Sequence, residues 1–211
     1  MKRKLLLKMY KKPLFYFFIL ILTSCHDENK FNLNSNLNDF NEIIETVIKC
    51  DSLMILNNSK GNYAITEYLK KIKITNPEIQ NKDSLILITP PNSLTIGNLF
   101  YLQQVDSKGF DKKDSLYLLS QNLNPDSLKI SDKLLSKTKH LTRKQIDEEW
   151  EKGNYIKYFT FKIPFISKDK SKAYIESGYH CGGLCGNGRA YFLEKKNGRW
   201  KVVRKWGTWI S

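Results

Sequence analysis

The chain has 211 residues, 41% of them hydrophobic, and 35 Lys and Arg against 21 Asp and Glu give it a formal charge of +14. That apolar content excludes wholesale disorder, and the length suits one ordinary domain. The charge does not point to nucleic acid, because both signs are spread along the chain with no zinc-finger spacing, RNA-binding signature or sustained basic helix.

Lys2, Arg3, Lys4, Lys8, Lys11 and Lys12 crowd the start of the chain, and Leu14 to Leu22 follow as an unbroken apolar run. The run suits the core of an export signal and is well short of the roughly 20 residues a spanning helix needs. Leu22-Thr23-Ser24-Cys25 then resembles the lipobox of bacterial lipoproteins. The resemblance implies that residues 1–24 are a signal peptide, removed before Cys25, and that Cys25 carries acyl chains, palmitate among them, that hold the protein on a membrane. The mature chain would keep 29 basic and 21 acidic side chains, a net charge of +8. His26-Asp27-Glu28 is similar to the export signal of Bacteroidetes-type surface lipoproteins, which implies attachment to the outer membrane, on its periplasmic or its outer face.

Residues 25–38, Asn-rich in their second half, read as an acylated N-terminus and flexible tether. A single domain is expected over 39–211. Asp39 is placed to cap a helix whose Phe40, Ile43, Ile44, Val47 and Ile48 share one face, ending by Asn57-Asn58. Tyr63–Lys71 reads as a short helix, Ser84–Thr89 as a strand before Pro90-Pro91, and Asp114–Asn122, Asp132–Lys139 and Thr142–Lys152 as further short helices. Asp-Ser-Leu recurs at 51–53, 83–85, 114–116 and 126–128, but its flanks and intervals do not match, so it is turn and cap chemistry rather than a repeat.

Alternating apolar residues from Phe159 to Phe165 predict a half-buried strand. A second strand is expected over Lys172–His180, a Gly-rich loop over Cys181–Gly188, and two more strands, Arg189–Lys196 and Arg199–Trp206, around an Asn197-Gly198 turn. The fold class is therefore α+β, with N-terminal helices packed on a C-terminal antiparallel four-stranded meander. Ile163-Pro164-Phe165-Ile166, Cys181-Gly182-Gly183-Leu184-Cys185-Gly186, Asn197-Gly198-Arg199-Trp200-Lys201-Val202-Val203 and Trp209-Ile210-Ser211 together resemble the C-terminal pattern of small Bacteroidetes-type envelope lipoproteins, and the hairpin is similar to the closing strands of NTF2-like α+β domains. These resemblances imply an address and an architecture, not an activity.

Chemistry concentrates around Cys181 and Cys185. In an exported protein they are disulfide candidates, and the glycines between them allow a tight loop. A thiol-redox pair, a metal site of His180, Cys181 and Cys185, and an anion cradle of glycine N–H groups are the sharper alternatives. The Cys-x-x-x-Cys spacing is not that of the familiar oxidoreductases, a fourth metal ligand has no diagnostic spacing, and no phosphate-loop pattern occurs. No catalytic set, cofactor or metal is assigned. Cys50 is left as a partly buried free thiol and His140 as a surface histidine, while Glu148, Glu149 and Glu151 face water. Trp200 and Trp206, of equal parity, should share the buried face of the last strand. Trp209 falls beyond it and, with Tyr179 and His180, is the candidate contact for a glycan or an envelope protein. The expected function is a membrane-anchored binding module, with a protective or immunity role as a further alternative.

Overall fold

The computed structural model of this chain describes residues 31–51, 63–76, 94–101 and 109–211. The expected signal peptide, Cys25, the expected helix stop at Asn57-Asn58 and the expected strand at Ser84–Thr89 lie outside the described residues.

Phe31–Ser211 form one compact unit, so ordered packing begins earlier than the sequence suggested. Residues 31–38 of the expected tether are seated on the domain. Phe31 stacks on Phe40 with ring centroids 6.3 Å apart and meets Tyr117 edge-on, and Asn36 is buried after a single 3-10 turn. Helix α1 spans Leu37–Cys50. Its predicted apolar face is fully buried, because five side chains at helical spacing can all reach the sheet at once. Asp39 lies in the first turn and not at the cap. Its carboxylate accepts from Lys195 Nζ at 2.6 Å and Trp200 Nε1 at 3.1 Å, with Lys170 Nζ 3.5 Å away. At the other end Asp51, its side chain fully buried, accepts from Arg189 (2.6 Å), Tyr191 Oη (2.7 Å) and Lys205 (2.8 Å). Both ends of α1 are thus tied by carboxylates to the C-terminal hairpin.

Tyr63–Lys71 is not helical. Ala64–Thr66 form β1 and Tyr68–Lys70 form β2. Ile65 and Thr66 are β-branched residues that favour a pleated, half-buried setting, and partners far along the chain complete the pairing. Helix α2 (Ile96–Phe100) carries a Thr95/Asn98 capping box, and α3 (Ser115–Ser120) lies within the predicted 114–122 helix. Strand β3 (Ser127–Lys129) pairs with β2; α4 (Asp132–Leu135), β4 (His140–Leu141) and α5 (Arg143–Glu151) follow. Thr142 caps α5 through a reciprocal box with Gln145, as Thr-x-x-Gln before an apolar residue leads one to expect.

The predicted strand over 159–165 divides into β5 (Tyr158–Phe161) and β6 (Phe165–Ile166), because Pro164 has no N–H for a ladder. Both halves pair with β7 (Lys172–Gly182). Strand β7 pairs with β8 (Cys185–Lys196), and β8 with β9 (Arg199–Ile210), all antiparallel. Asn197 and Gly198 turn between them with φ of 53° and 74°, the positive values this two-residue turn requires. The expected four-stranded meander is therefore the edge of a larger, mixed sheet in the order β4-β1-β5-β7-β8-β9, with β6 beside β7 and β1 parallel to both of its neighbours.

This sheet is covered on both faces along β7 and β8, rather than on one. Ala173, Ile175, Tyr191 and Leu193 pack under α1, while Tyr174, Ala190 and Phe192 pack against Ile74, Leu99 and Leu118 on the opposite side. A bulge between Phe192 and Leu193 leaves Val203 without a partner, since Phe192 faces Arg204 and Leu193 faces Val202. One extra residue reverses the side-chain alternation beyond it. Trp200 accordingly packs beneath α1, 5% exposed, and Trp206 sits on the other face beside Tyr174. Their equal parity did not place them together.

Candidate functional site

The Cys181–Gly188 segment is a hairpin tip, not a loop. Cys181-Gly182 end β7, Cys185–Gly188 begin β8, and Gly183-Leu184 make the turn. Cys181 and Cys185 are joined by a disulfide with Cα atoms 5.1 Å apart, and Gly182 supplies the φ of 137° that the tight return needs. Closing so short a ring stabilises by on the order of 2 kcal/mol in the loop-closure account. Among the described residues no group of three or more His, Cys, Asp or Glu side chains could hold a metal ion. Cys50 is exposed rather than partly buried, because it follows Ile48 on the outer side of the last turn of α1.

Of the three candidate contact residues, two come together and one does not. Tyr179 lies on the α1 face of the sheet, 4.9 Å from the Phe159 ring and 5.8 Å from Tyr63. His180, one position on, points to the opposite face and stacks on Tyr158 with centroids 4.9 Å apart and planes at 17°. Trp209 is also on that face, 5.9 Å from His180. It lies within β9 rather than past it, paired with Gly188, because a second bulge at Gly188/Arg189 extends the strand to Ile210.

His180 closes one end of a cleft of about 600 Å³. Its apolar wall is Leu141, Ile146 and Tyr158, from β4, α5 and β5. Its polar wall is Thr66, Glu67, Lys70, Ser127, Arg143, Thr160 and Lys162. Lys70 and Lys162 are brought side by side by a bridge that joins β2 to the end of β5, in which Ile163 N–H donates to Lys70 O at 2.9 Å. Arg143 is tied to Asp147 at 3.0 Å, and Glu67 lies 3.7 Å from His140 Nε2, an acidic partner for His140 that the sequence did not reveal. Among the described residues neither Lys70 nor Lys162 forms an ion pair. The cleft therefore carries surplus positive charge beside an apolar wall.

Burial, and then the charges of Lys70 and Lys162, push the His180 imidazole below its usual pKa. It is neutral at physiological pH, with Nε2 3.3 Å from Thr160 Oγ1. Replacing both lysines by glutamine is expected to move the His180 titration midpoint upward, read from its ring proton shifts against pH. An unchanged midpoint would show that the lysines do not face the ring. The helix acids of α5 are turned to solvent: Glu148 is 3.6 Å from Lys144 and Glu149 2.8 Å from Lys152.

Sequence reasoning did not find Lys70, Arg143, Thr160 or Lys162. They come from β2, α5 and the end of β5, scattered over some ninety positions, and only Thr160 and Lys162 are close in the chain. The only signal was His180 itself. Comparison with protein-family models, with curated proteins and with solved structures finds no match to this chain.

Proposed function

We propose that this chain is an outer-membrane lipoprotein, anchored through acylated Cys25, that acts as a binding module for an anionic ligand taken into the Lys70/Lys162 cleft. The observation that carries the reading is the pair of lysines, neighbours across a backbone bridge and without carboxylate partners among the described residues, on the edge of an apolar wall. Two lysines on bridged backbone positions offer two positive charges to one arriving anion, and the apolar wall shields the attraction from water. The lipobox at 22–25 supports the anchor, and no helix among the described residues is long and apolar enough to cross a membrane. The joined Cys181 and Cys185 support a staple at the hairpin tip more than a cycling thiol pair.

Calorimetric titration of the full chain in non-ionic detergent with inorganic phosphate and with glucuronate tests the cleft. Binding that is lost in Lys70→Glu/Lys162→Glu, with the fold intact by circular dichroism, is the expected result. No binding of either anion, or binding indifferent to the charge reversal, would sink the reading. For the anchor, labelled palmitate should enter the wild-type chain and not Cys25→Ser.

A further inference from the structure

Trp209 gives the cleft a second half. A Cβ at Gly188 would collide with its indole Nε1, and one at Gly186 or Gly178 would come within 3.1 Å or 3.3 Å of its ring. The indole therefore lies down over three glycines of β7 and β8, on backbone that no side chain could share. Gly178, Gly186 and Gly188 occupy neighbouring register positions, Gly178 directly opposite Gly188. One face of the ring is against this floor. The residue remains 38% exposed, so part of the indole is open to solvent.

The platform and the lysines belong to one surface. Gly178, under the indole, is paired with Thr160 of β5, and Lys162 lies two positions beyond Thr160, immediately after the strand ends. His180, between the indole and Tyr158, completes a row from Trp209 to the cleft. One strand spacing and two residues of rise separate the floor of the platform from Lys162, roughly 8–9 Å. That is more than one sugar ring and about the length of a disaccharide. The half-buried groups along the row are the Thr160 hydroxyl and the His180 imidazole, which exchange hydrogen bonds with hydroxyls.

We infer that this surface binds an acidic oligosaccharide, with one sugar ring stacked flat on Trp209 and a carboxylate one or two residues away held by Lys70 and Lys162. The inference rests on the binding reading above and names its ligand. A ring whose axial C–H bonds point down suits the negative face of an indole. The floor of glycines fixes the indole before the ligand arrives, so little ordering cost is left for binding. An acidic peptide would satisfy the lysines equally but has no flat, polyhydroxylated unit for the row between them and Trp209.

Titration of the full chain in detergent with tetragalacturonate, with cellotetraose as neutral control and tetraglutamate as peptide control, tests it by calorimetry and by the indole N–H resonances. Tetragalacturonate is expected to bind at least tenfold more tightly than galacturonate or either control and to shift the Trp209 resonance, assigned from Trp209→Phe. Trp209→Ala should weaken that binding roughly tenfold and leave phosphate binding unchanged. Gly188→Ala, which lifts the indole from its floor, should weaken it similarly. Equal binding of cellotetraose or of tetraglutamate overturns the inference, as does a Trp209→Ala variant with undiminished affinity. In those cases phosphate bound at Lys70 and Lys162 would keep the anion-binding reading. If neither phosphate nor any saccharide binds, both fall.

Discussion

Truncating Trp200 to alanine is expected to destabilise the domain by about 4 kcal/mol, whereas the same change at Trp206 costs about 1–2 kcal/mol. Trp200 is 5% exposed beneath α1, its Nε1 donates to Asp39 at 3.1 Å, and Lys195 Nζ sits 5.1 Å from its ring centroid. Its removal opens a cavity at the start of α1 and also leaves Asp39 with fewer donors. Trp206 is only partly buried, at the margin of the opposite cluster. For a domain of this size each kcal/mol moves Tm by roughly 2–4 °C, so thermal unfolding separates the two variants clearly. Equal losses would mean that the bulge at Phe192/Leu193 does not divide them, and that both tryptophans share one face after all.

Asp51→Ala is expected to cost about 2–3 kcal/mol at pH 7, and the cost should vanish in acid. Burial by itself would raise this carboxyl's pKa, but the hydrogen bonds from Lys205, Tyr191 and Arg189 outweigh it and hold the group below its ordinary value. A carboxyl depressed on folding stabilises above its unfolded pKa, about 3.9, and loses that contribution as pH falls through the folded value. The stability gap between wild type and Asp51→Ala should therefore be full at pH 6 and close below about pH 4. The estimate is kept modest because Arg189 and Lys205 are about half exposed and regain water once the acid is gone. A gap that persists unchanged at pH 3 would mean the contribution is packing and not charge. Asp39 obeys the same sign: burial raises it, and the bonds from Lys195 and Trp200 bring it below the usual range.

The contrast between α1 and β1 shows where local reasoning worked. Phe40, Ile43, Ile44, Val47 and Ile48 state a helix and its buried side in five residues, and all five are at most 1% exposed. Tyr63–Lys71 has no such self-contained pattern. Its two short strands exist because β4 and β5, more than seventy positions away, offer backbone partners on either side of β1, and β3 offers one to β2. Short segments of mixed propensity take the form their distant neighbours impose. In the site, His180 and Trp209 were visible as unusual residues near a Gly-rich hairpin, yet Tyr179 could not be told from them until the sheet had faces.

By itself the sequence determined the elements whose causes lie within a few residues: the α1 stripe, the short helix after Thr142, the Asn197-Gly198 turn, and the pairing of two cysteines four positions apart. Leu22-Thr23-Ser24-Cys25, the string on which the proposed anchor rests, is likewise local. Only the tertiary structure decided which side of the sheet each tryptophan occupies, because a single unpaired Val203 reverses the alternation beyond it. Only the tertiary structure put Lys70 beside Lys162 and laid Trp209 across Gly178, Gly186 and Gly188. Those proximities depend on hydrogen bonds between strands distant in the chain, whose partners no local spacing can name.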